Sequence, residues 1–275
     1  MNYPADDQLI ELFNSASAGL LVTDIDGRVI LANRASKELL HDSQKLGMEI
    51  LSILDFDDFS VIASRGEPVE NRPVEFSDNE FSSGFANVGF GNINGHTYAF
   101  WALRPIVHSP LPSLEEESTT NNIKSAASWI SRLEVPDSTY IPAATKDIAL
   151  IRGIYDYCPV AIHLIEENGN VGFANWKDIA IVGASNDPSS YVGHHIRHIY
   201  ADRDVIDDFL GRWGEDSPII NFRADFLNNG NRVPVVIFST ANVVDGTLVN
   251  TRCFVFPDDQ PDRKRDQINA LDLAF

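Results

Sequence analysis

Residues 18–33, AGLLVTDIDGRVILAN, return in outline as VAIHLIEENGNVGFAN at residues 160–175. Gly27 aligns with Gly169 and Asn33 with Asn175, both at an offset of 142 residues. A repeat at this spacing constrains the fold more than any other feature of the chain, because both copies must satisfy the same local geometry. Each copy holds two short apolar runs rich in Val, Ile and Leu around a polar turn, Ile25-Asp26-Gly27 or Glu167-Asn168-Gly169. Gly after Asp or Asn supplies the positive φ of a tight turn, so each copy predicts a β-hairpin. Asn33 and Asn175 then stand where a helix begins, with a side-chain oxygen suited to cap a first-turn amide.

The rest of the chain repeats around these hairpins. Residues 6–16 predict an amphipathic helix with Leu9, Ile10, Leu12 and Phe13 on its apolar side; residues 146–157 predict its counterpart, with Ile148, Ile151, Ile154 and Tyr155 at helical spacing. Short helices follow each hairpin (34–40 and within 47–64; 176–182 and 204–213). Three strands close each unit: 74–76, 81–93 and 96–105 in the first, 219–227, 232–244 and 247–256 in the second. Asn94-Gly95, Asn229-Gly230 and Asp245-Gly246 mark hairpin turns. Gly84, Gly89 and Gly91 predict a bulge or a loose edge in the middle strand of the first unit. Lys45–Leu54 aligns with Tyr191–Tyr200, pairing Ile50 with Ile196. The pattern defines an α+β chain with two domains, residues 1–107 and 146–257. A Pro-, Ser- and Glu-rich linker (108–145), with a possible helix at 123–133, joins them, and residues 258–275 form a helical exit toward an effector.

Composition excludes several classes. The net charge of −19 is spread over both units and argues against nucleic acid or anionic lipid as a partner. Only Cys158 and Cys253 are present, in unrelated contexts, so they read as buried thiols in a reducing, cytoplasmic compartment. No signal-peptide layout or membrane-spanning run occurs in this segment. No phosphate loop, nucleophile elbow, zincin or kinase signature is present, so the segment reads as non-enzymatic. Asp57-Asp58 and Asp207-Asp208 read as solvated helix faces, and His163 as a structural histidine in a strand. Phe81, Phe85, Phe90, Tyr98, Phe100 and Trp101 read as core or a pairing face.

GLLVTDIDGRVILAN in the first unit, and YDYCPVAIHLIEENGNVGFAN with VGHHIRHIYADRDVIDDFLGRW and NFRADFLNNGNRVPVVIFSTANVVDGTLVNTRCFVFPDDQPDRKRDQ in the second, resemble PAS domains, the sensory modules of bacterial signalling proteins. The second resembles the type found ahead of histidine kinase modules, through Arg252-Cys253-Phe254 and the basic run Arg263-Lys264-Arg265; Pro257-Asp258-Asp259-Gln260 stands where that type often has Asp-x-Thr. The resemblance implies two five-stranded antiparallel sheets of order 2-1-5-4-3 with helices on one face. It implies a tandem sensory and dimerisation region regulating an attached output, foremost a sensor histidine kinase of a two-component system. Homodimer contacts are then expected at Leu9, Leu12, Phe13, Ile148, Ile151 and Tyr155, and a small-molecule pocket near Ile50, Leu54, Ile196 and Tyr200. Two alternatives stay open: a ligand-free interaction scaffold, and a haem or flavin sensor of redox state, gas or light. The second would use His194, His195 and His198, with His194 and His198 sharing a helical face. The blue-light Asn-Cys-Arg-Phe motif does not occur.

Overall fold

Each unit is built around the predicted hairpin, and one buried asparagine ties the hairpin to the helix after it. The computed structural model describes residues 5–40, 50, 54, 58–76, 83–105, 147–212, 219–244 and 247–258. Strands β1 (Gly19–Asp24) and β2 (Val29–Ala32) pair antiparallel, and helix α2 (Arg34–Leu39) starts at Asn33. The Asn33 Oδ1 accepts from Leu20 N and from Ser36 N, both at 2.9 Å, and its Nδ2 donates to Ala18 O at 2.9 Å. Strands β6 (Ala161–Glu166) and β7 (Val171–Ala174) and helix α5 (Trp176–Ile181) repeat this in the second unit. There Asn175 Oδ1 accepts from Ile162 N and Asp178 N at 3.0 Å, and Nδ2 donates to Val160 O at 2.8 Å. Both asparagines are fully buried, so these bonds satisfy backbone groups that no solvent reaches.

Helix α1 (Asp6–Ser15) precedes the first hairpin, and α3 (Phe59–Arg65) leads to β3 (Val69–Glu75), β4 (Ser83–Ile93) and β5 (His96–Pro105). Helix α4 (Ile148–Tyr157) precedes the second hairpin. Helix α6 (Arg203–Arg212) leads to β8 (Ile219–Asn228), β9 (Asn231–Val244) and β10 (Thr247–Pro257). The two sheets are antiparallel, with orders β2-β1-β5-β4-β3 and β7-β6-β10-β9-β8. This is the 2-1-5-4-3 order expected of a PAS-like fold, formed twice. Gly27 and Gly169 take the positive φ their turns require, at 82° and 81°. Asn94-Gly95 and Asn229-Gly230 likewise turn with both residues left-handed. The possible helix at 123–133, the turn at 245–246 and the helical tail lie outside the described residues.

The bulge expected at the glycines of β4 is not there. β4 runs in unbroken register against β5 from Gly84 to Ile93. The irregularity instead lies in β3, where Asn71 has a φ of 52° and its N–H donates to Asn87 Oδ1. The second unit carries the same feature at Asn221 in β8, with a φ of 59°. Asparagine tolerates this region better than other side-chain-bearing residues, so it replaces glycine at both bulges.

Strand alternation gives each sheet two buried faces. On the helix side of the first sheet Leu21, Val88, Ala99, Trp101 and Leu103 meet Leu39, Ile50, Leu54 and Phe59. On the helix side of the second, Ala161, Ile165, Ile237, Cys253 and Val255 meet Ile179, Ile196, Ile206 and Phe209. The opposite faces of both sheets join one further core with α1 and α4.

Candidate functional site: a shared core and a polar interior

Leu9, Leu12 and Phe13 of α1 and Ile151, Ile154 and Tyr155 of α4 are buried in that shared core, and Ile148 packs against its edge. They meet Phe100 and Ala102 of the first sheet and Val236, Phe238, Phe254 and Phe256 of the second. The apolar sides read from the sequence as dimer contacts are therefore covered within a single chain. The packing is pseudo-symmetric. Phe100 stands opposite Val22 in the first sheet, and Arg252 stands opposite Leu164, the counterpart of Val22, in the second. Phe100 stacks on Tyr157 of α4 with ring centroids 5.4 Å apart and lies against Gly153. Arg252 donates to Glu11 and Ser15 of α1, the residues that correspond to Gly153 and Tyr157 at the 142-residue offset. Each unit's leading helix thus meets the last strand of the other unit, through rings on one side and an ion pair on the other.

Gly89 and Gly91 of β4 belong to this interface. A Cβ on Gly89 would lie 1.6 Å from the Tyr157 carbonyl oxygen, and one on Gly91 would lie 2.3 Å from the Tyr157 ring. They are small because the end of α4 sits on the strand. Arg104 reaches across as well, its Cζ 4.4 Å from the Phe85 ring centroid and 5.5 Å from that of Phe256. Both cysteines are free and buried. Cys158 lies in the shared core, where burial pushes its thiol pKa well up and leaves it unreactive.

The interiors of the two units differ at equivalent positions. In the first, Leu21 of β1 stands opposite Trp101 of β5, and Ser36 follows the Asn33 cap. The Trp101 ring stacks on Phe59 at 5.2 Å, and its Nε1 donates to Thr23 Oγ1 at 3.0 Å. In the second, His163 replaces Leu21, Cys253 replaces Trp101 and Asp178 replaces Ser36. His163 Nδ1 bonds Asp178 Oδ1 at 3.0 Å, and the Tyr191 hydroxyl donates to Asp178 Oδ2 at 2.7 Å. Cys253 Sγ donates to Ser239 Oγ at 3.4 Å. All of these side chains are buried; Cys253 lies alongside the His163 imidazole, and neither His163 Nε2 nor the Tyr200 hydroxyl makes a hydrogen bond of ordinary geometry among the described residues.

Burial alone would lower the His163 pKa; the Asp178 carboxylate, with Cys253 alongside, overrides it and holds the imidazole at about 10. Burial, reinforced by the Asp178 carboxylate, also keeps Tyr191 and Tyr200 protonated. At neutral pH the cluster holds the His163 imidazolium beside Asp178, flanked by two neutral phenols. His163 is thus more than the satisfied structural histidine its strand position suggested. Its partner Asp178 is one turn into a helix, and only the repeat alignment, which sets His163 and Asp178 against Leu21 and Ser36, could have exposed the polar exchange.

Ile50 and Leu54 are fully buried on the helix side of the first sheet. Ile196 and Tyr200 occupy the corresponding core of the second, where Tyr200 packs edge-on against Phe226 at 5.0 Å. Ile50 N donates to Gly27 O at 2.8 Å and Ile196 N to Gly169 O at 2.9 Å, the same tie between hairpin turn and helical segment. The histidine cluster takes another form from the one expected. Residues 191–193 form a turn, His194 bends, His195 bridges Asn170, Ile196–His198 is a single 3-10 turn, and His194 and His198 are exposed. They do not share an α-helical face, because the stretch is pinned to the hairpin by Val171 N to His194 O and by Ile196 N to Gly169 O. His195 accepts from Arg197 N, and partial burial with the neighbouring Arg197 and His198 charges lowers its pKa. No group of three His, Cys, Asp or Glu side chains suited to a metal occurs among the described residues. No helix among them is long and apolar enough to cross a membrane.

A family model described as "PAS domain" matches residues 8–72, from α1 into β3. No curated protein matches the sequence. Solved structures similar to the chain include the PAS domain of an HTR-like protein from Haloarcula marismortui. It is 15% identical with a TM-score of 0.35, over 41% of this chain and 93% of that one. The Escherichia coli DhaR(N)–DhaL complex gives 12% identity and a TM-score of 0.33 over 92% and 83% of the two chains. An RNA-binding Light-Oxygen-Voltage receptor gives 12% and 0.39 over 94% and 100%. Residues 8–72 thus match a PAS domain model, and both units have the five-stranded 2-1-5-4-3 sheet of a PAS-like fold.

Proposed function

We propose that the chain is the tandem sensory region of a signalling protein, with the second unit as the sensor and the first as its fixed partner. One observation carries this reading: equivalent interior positions hold a stacked indole in the first unit and a buried polar cluster with unpartnered atoms in the second. Strand β10 supplies a route for the signal. Cys253 faces the cluster, while its neighbour Arg252 faces the other way and holds Glu11 and Ser15 of α1. A change around Cys253 thereby biases the packing of the two units, a two-state element of the kind signalling requires. The proposed output is a signalling effector, foremost a histidine kinase.

The test is a fusion of residues 1–275 to a histidine kinase core. The double variant His163→Leu with Asp178→Ser gives the second unit the interior pair of the first. It is expected to lock the autophosphorylation rate at one level while the parent fusion responds to cell extract. Parent and variant fusions with equal rates, with and without extract, would overturn the reading. A ligand-free scaffold remains the role of the first unit alone, since Trp101 fills its interior.

A further inference from the structure

We propose that the second unit binds a small, uncharged and largely apolar molecule through a hydrogen-bond acceptor seated on His163 Nε2 and the Tyr200 hydroxyl. The proposal rests on the sensory reading above and names its ligand class. Both atoms are buried and make no hydrogen bond of ordinary geometry among the described residues, a condition that costs free energy and that native interiors rarely leave uncompensated. They flank one ring: the Phe226 centroid lies 6.4 Å from the His163 ring and 5.0 Å from the Tyr200 ring. Ile165, Ile196 and Phe209 belong to the same core, so the surroundings are apolar apart from the cluster.

The chemistry of the donors selects the acceptor. His163 Nδ1 is committed to Asp178, and Asp178 is committed again to Tyr191. With the imidazole protonated, Nε2 offers one N–H and no lone pair. Tyr200 can donate to the same ligand oxygen or accept from a neighbouring ligand N–H or O–H. The charges of His163 and Asp178 cancel, so an anionic ligand would bring an uncompensated buried charge, whereas a carbonyl or ring nitrogen on an apolar body would not. The first unit lacks every part of this arrangement: Leu21, Ser36 and the stacked Trp101 stand in its place.

Three probes of one shape separate the possibilities on the full 275-residue chain: acetophenone, benzoate and ethylbenzene, titrated by ligand-observed NMR with thermal shift alongside. Acetophenone is expected to bind at least about tenfold more tightly than either of the others, the factor one charge-assisted hydrogen bond supplies. Tyr200→Phe, which removes one hydroxyl from an otherwise intact interior, is expected to weaken acetophenone several-fold and leave ethylbenzene unchanged. The His163→Leu, Asp178→Ser variant is expected to bring acetophenone down to the ethylbenzene level. Equal affinities for acetophenone and ethylbenzene would overturn the proposal, as would an acetophenone affinity that neither variant alters. Benzoate as the tightest probe would overturn the uncharged class. No binding by any probe would overturn the site, leaving the two atoms to an ordered water. The sensory reading fails separately, through a kinase fusion indifferent to extract and variant.

Discussion

Replacing Gly89 by alanine tests the inter-unit packing by the sign of its effect. In a strand that only paired with neighbours, alanine would be an improvement, because glycine costs roughly 0.5–1 kcal/mol in an element interior. Here the new Cβ would lie 1.6 Å from the Tyr157 carbonyl oxygen and 2.6 Å from its carbonyl carbon, against backbone that cannot rotate away. Restoring an ordinary van der Waals contact of about 3.4 Å requires β4 and the end of α4 to part by about 1.8 Å. A radial gap of 0.5–1 Å already forfeits a quarter to a half of a dispersion contact. The Phe100–Tyr157 stack and the contact of Phe100 with Gly153 both sit at that end. Insertion of a methyl group into a packed core typically costs about 1–3 kcal/mol, and the lost stack adds about 0.5–1.5 kcal/mol. Gly89→Ala is therefore expected to destabilise the protein by about 2–4 kcal/mol in urea unfolding, with faster hydrogen exchange in α4. Gly211→Ala is the control: no described residue lies within 4 Å of its Cβ, and it should stabilise α6 by roughly 0.5–1 kcal/mol. A Gly89→Ala protein as stable as the parent, or more so, would refute the reasoning.

Other perturbations bear on the same account. Asn33→Ala and Asn175→Ala should each cost at least about 2 kcal/mol in urea unfolding, because each strands buried backbone groups on both sides of its hairpin. Glu11→Gln should release α1 and cost about 1–2 kcal/mol, since it removes the charge facing the buried Arg252 guanidinium; unchanged exchange in α1 would argue against the docking. Tyr200→Phe should raise the thermal midpoint of the ligand-free protein by about 1 kcal/mol worth of stability, as it removes a buried hydroxyl that has no partner among the described residues. The His163 contribution to stability has a defined pH window. Its folded pKa of about 10 lies above the ordinary 6.5, so the contribution is complete below pH 6.5 and is lost as pH rises through 10. The His163→Leu, Asp178→Ser variant should lose that part of the decline.

Most of the fold was legible because local rules set it. The turn glycines, the capping asparagines and the alternating runs each encode their own geometry, and the 142-residue repeat let one unit check the other. What escaped depends on residues far apart in the chain. Gly89 and Gly91 signal a close approach, yet nothing in their neighbourhood says that Tyr157 is the approaching group. Leu9, Leu12 and Phe13 announced an apolar side in need of cover, and helical periodicity is silent on whether a second chain or the other unit supplies it. The histidines at 194, 195 and 198 misled through an assumed helix, whereas backbone bonds to the hairpin turn impose turns and a 3-10 segment. A lone histidine in a strand says little by itself; the significance of His163 lies in Asp178, Tyr191 and Cys253, which three other segments bring to it.

The shared core is the claim on which the functional reading depends, since a sensor in one unit must be felt by the other. Pulsed hydrogen exchange with mass spectrometry along a urea titration tests it directly. Peptides covering β5 and β10 report the two sheets separately. One core predicts that both lose protection at the same urea concentration and that Gly89→Ala shifts both midpoints together. Two separate transitions, with Gly89→Ala moving only the β5 midpoint, would contradict it.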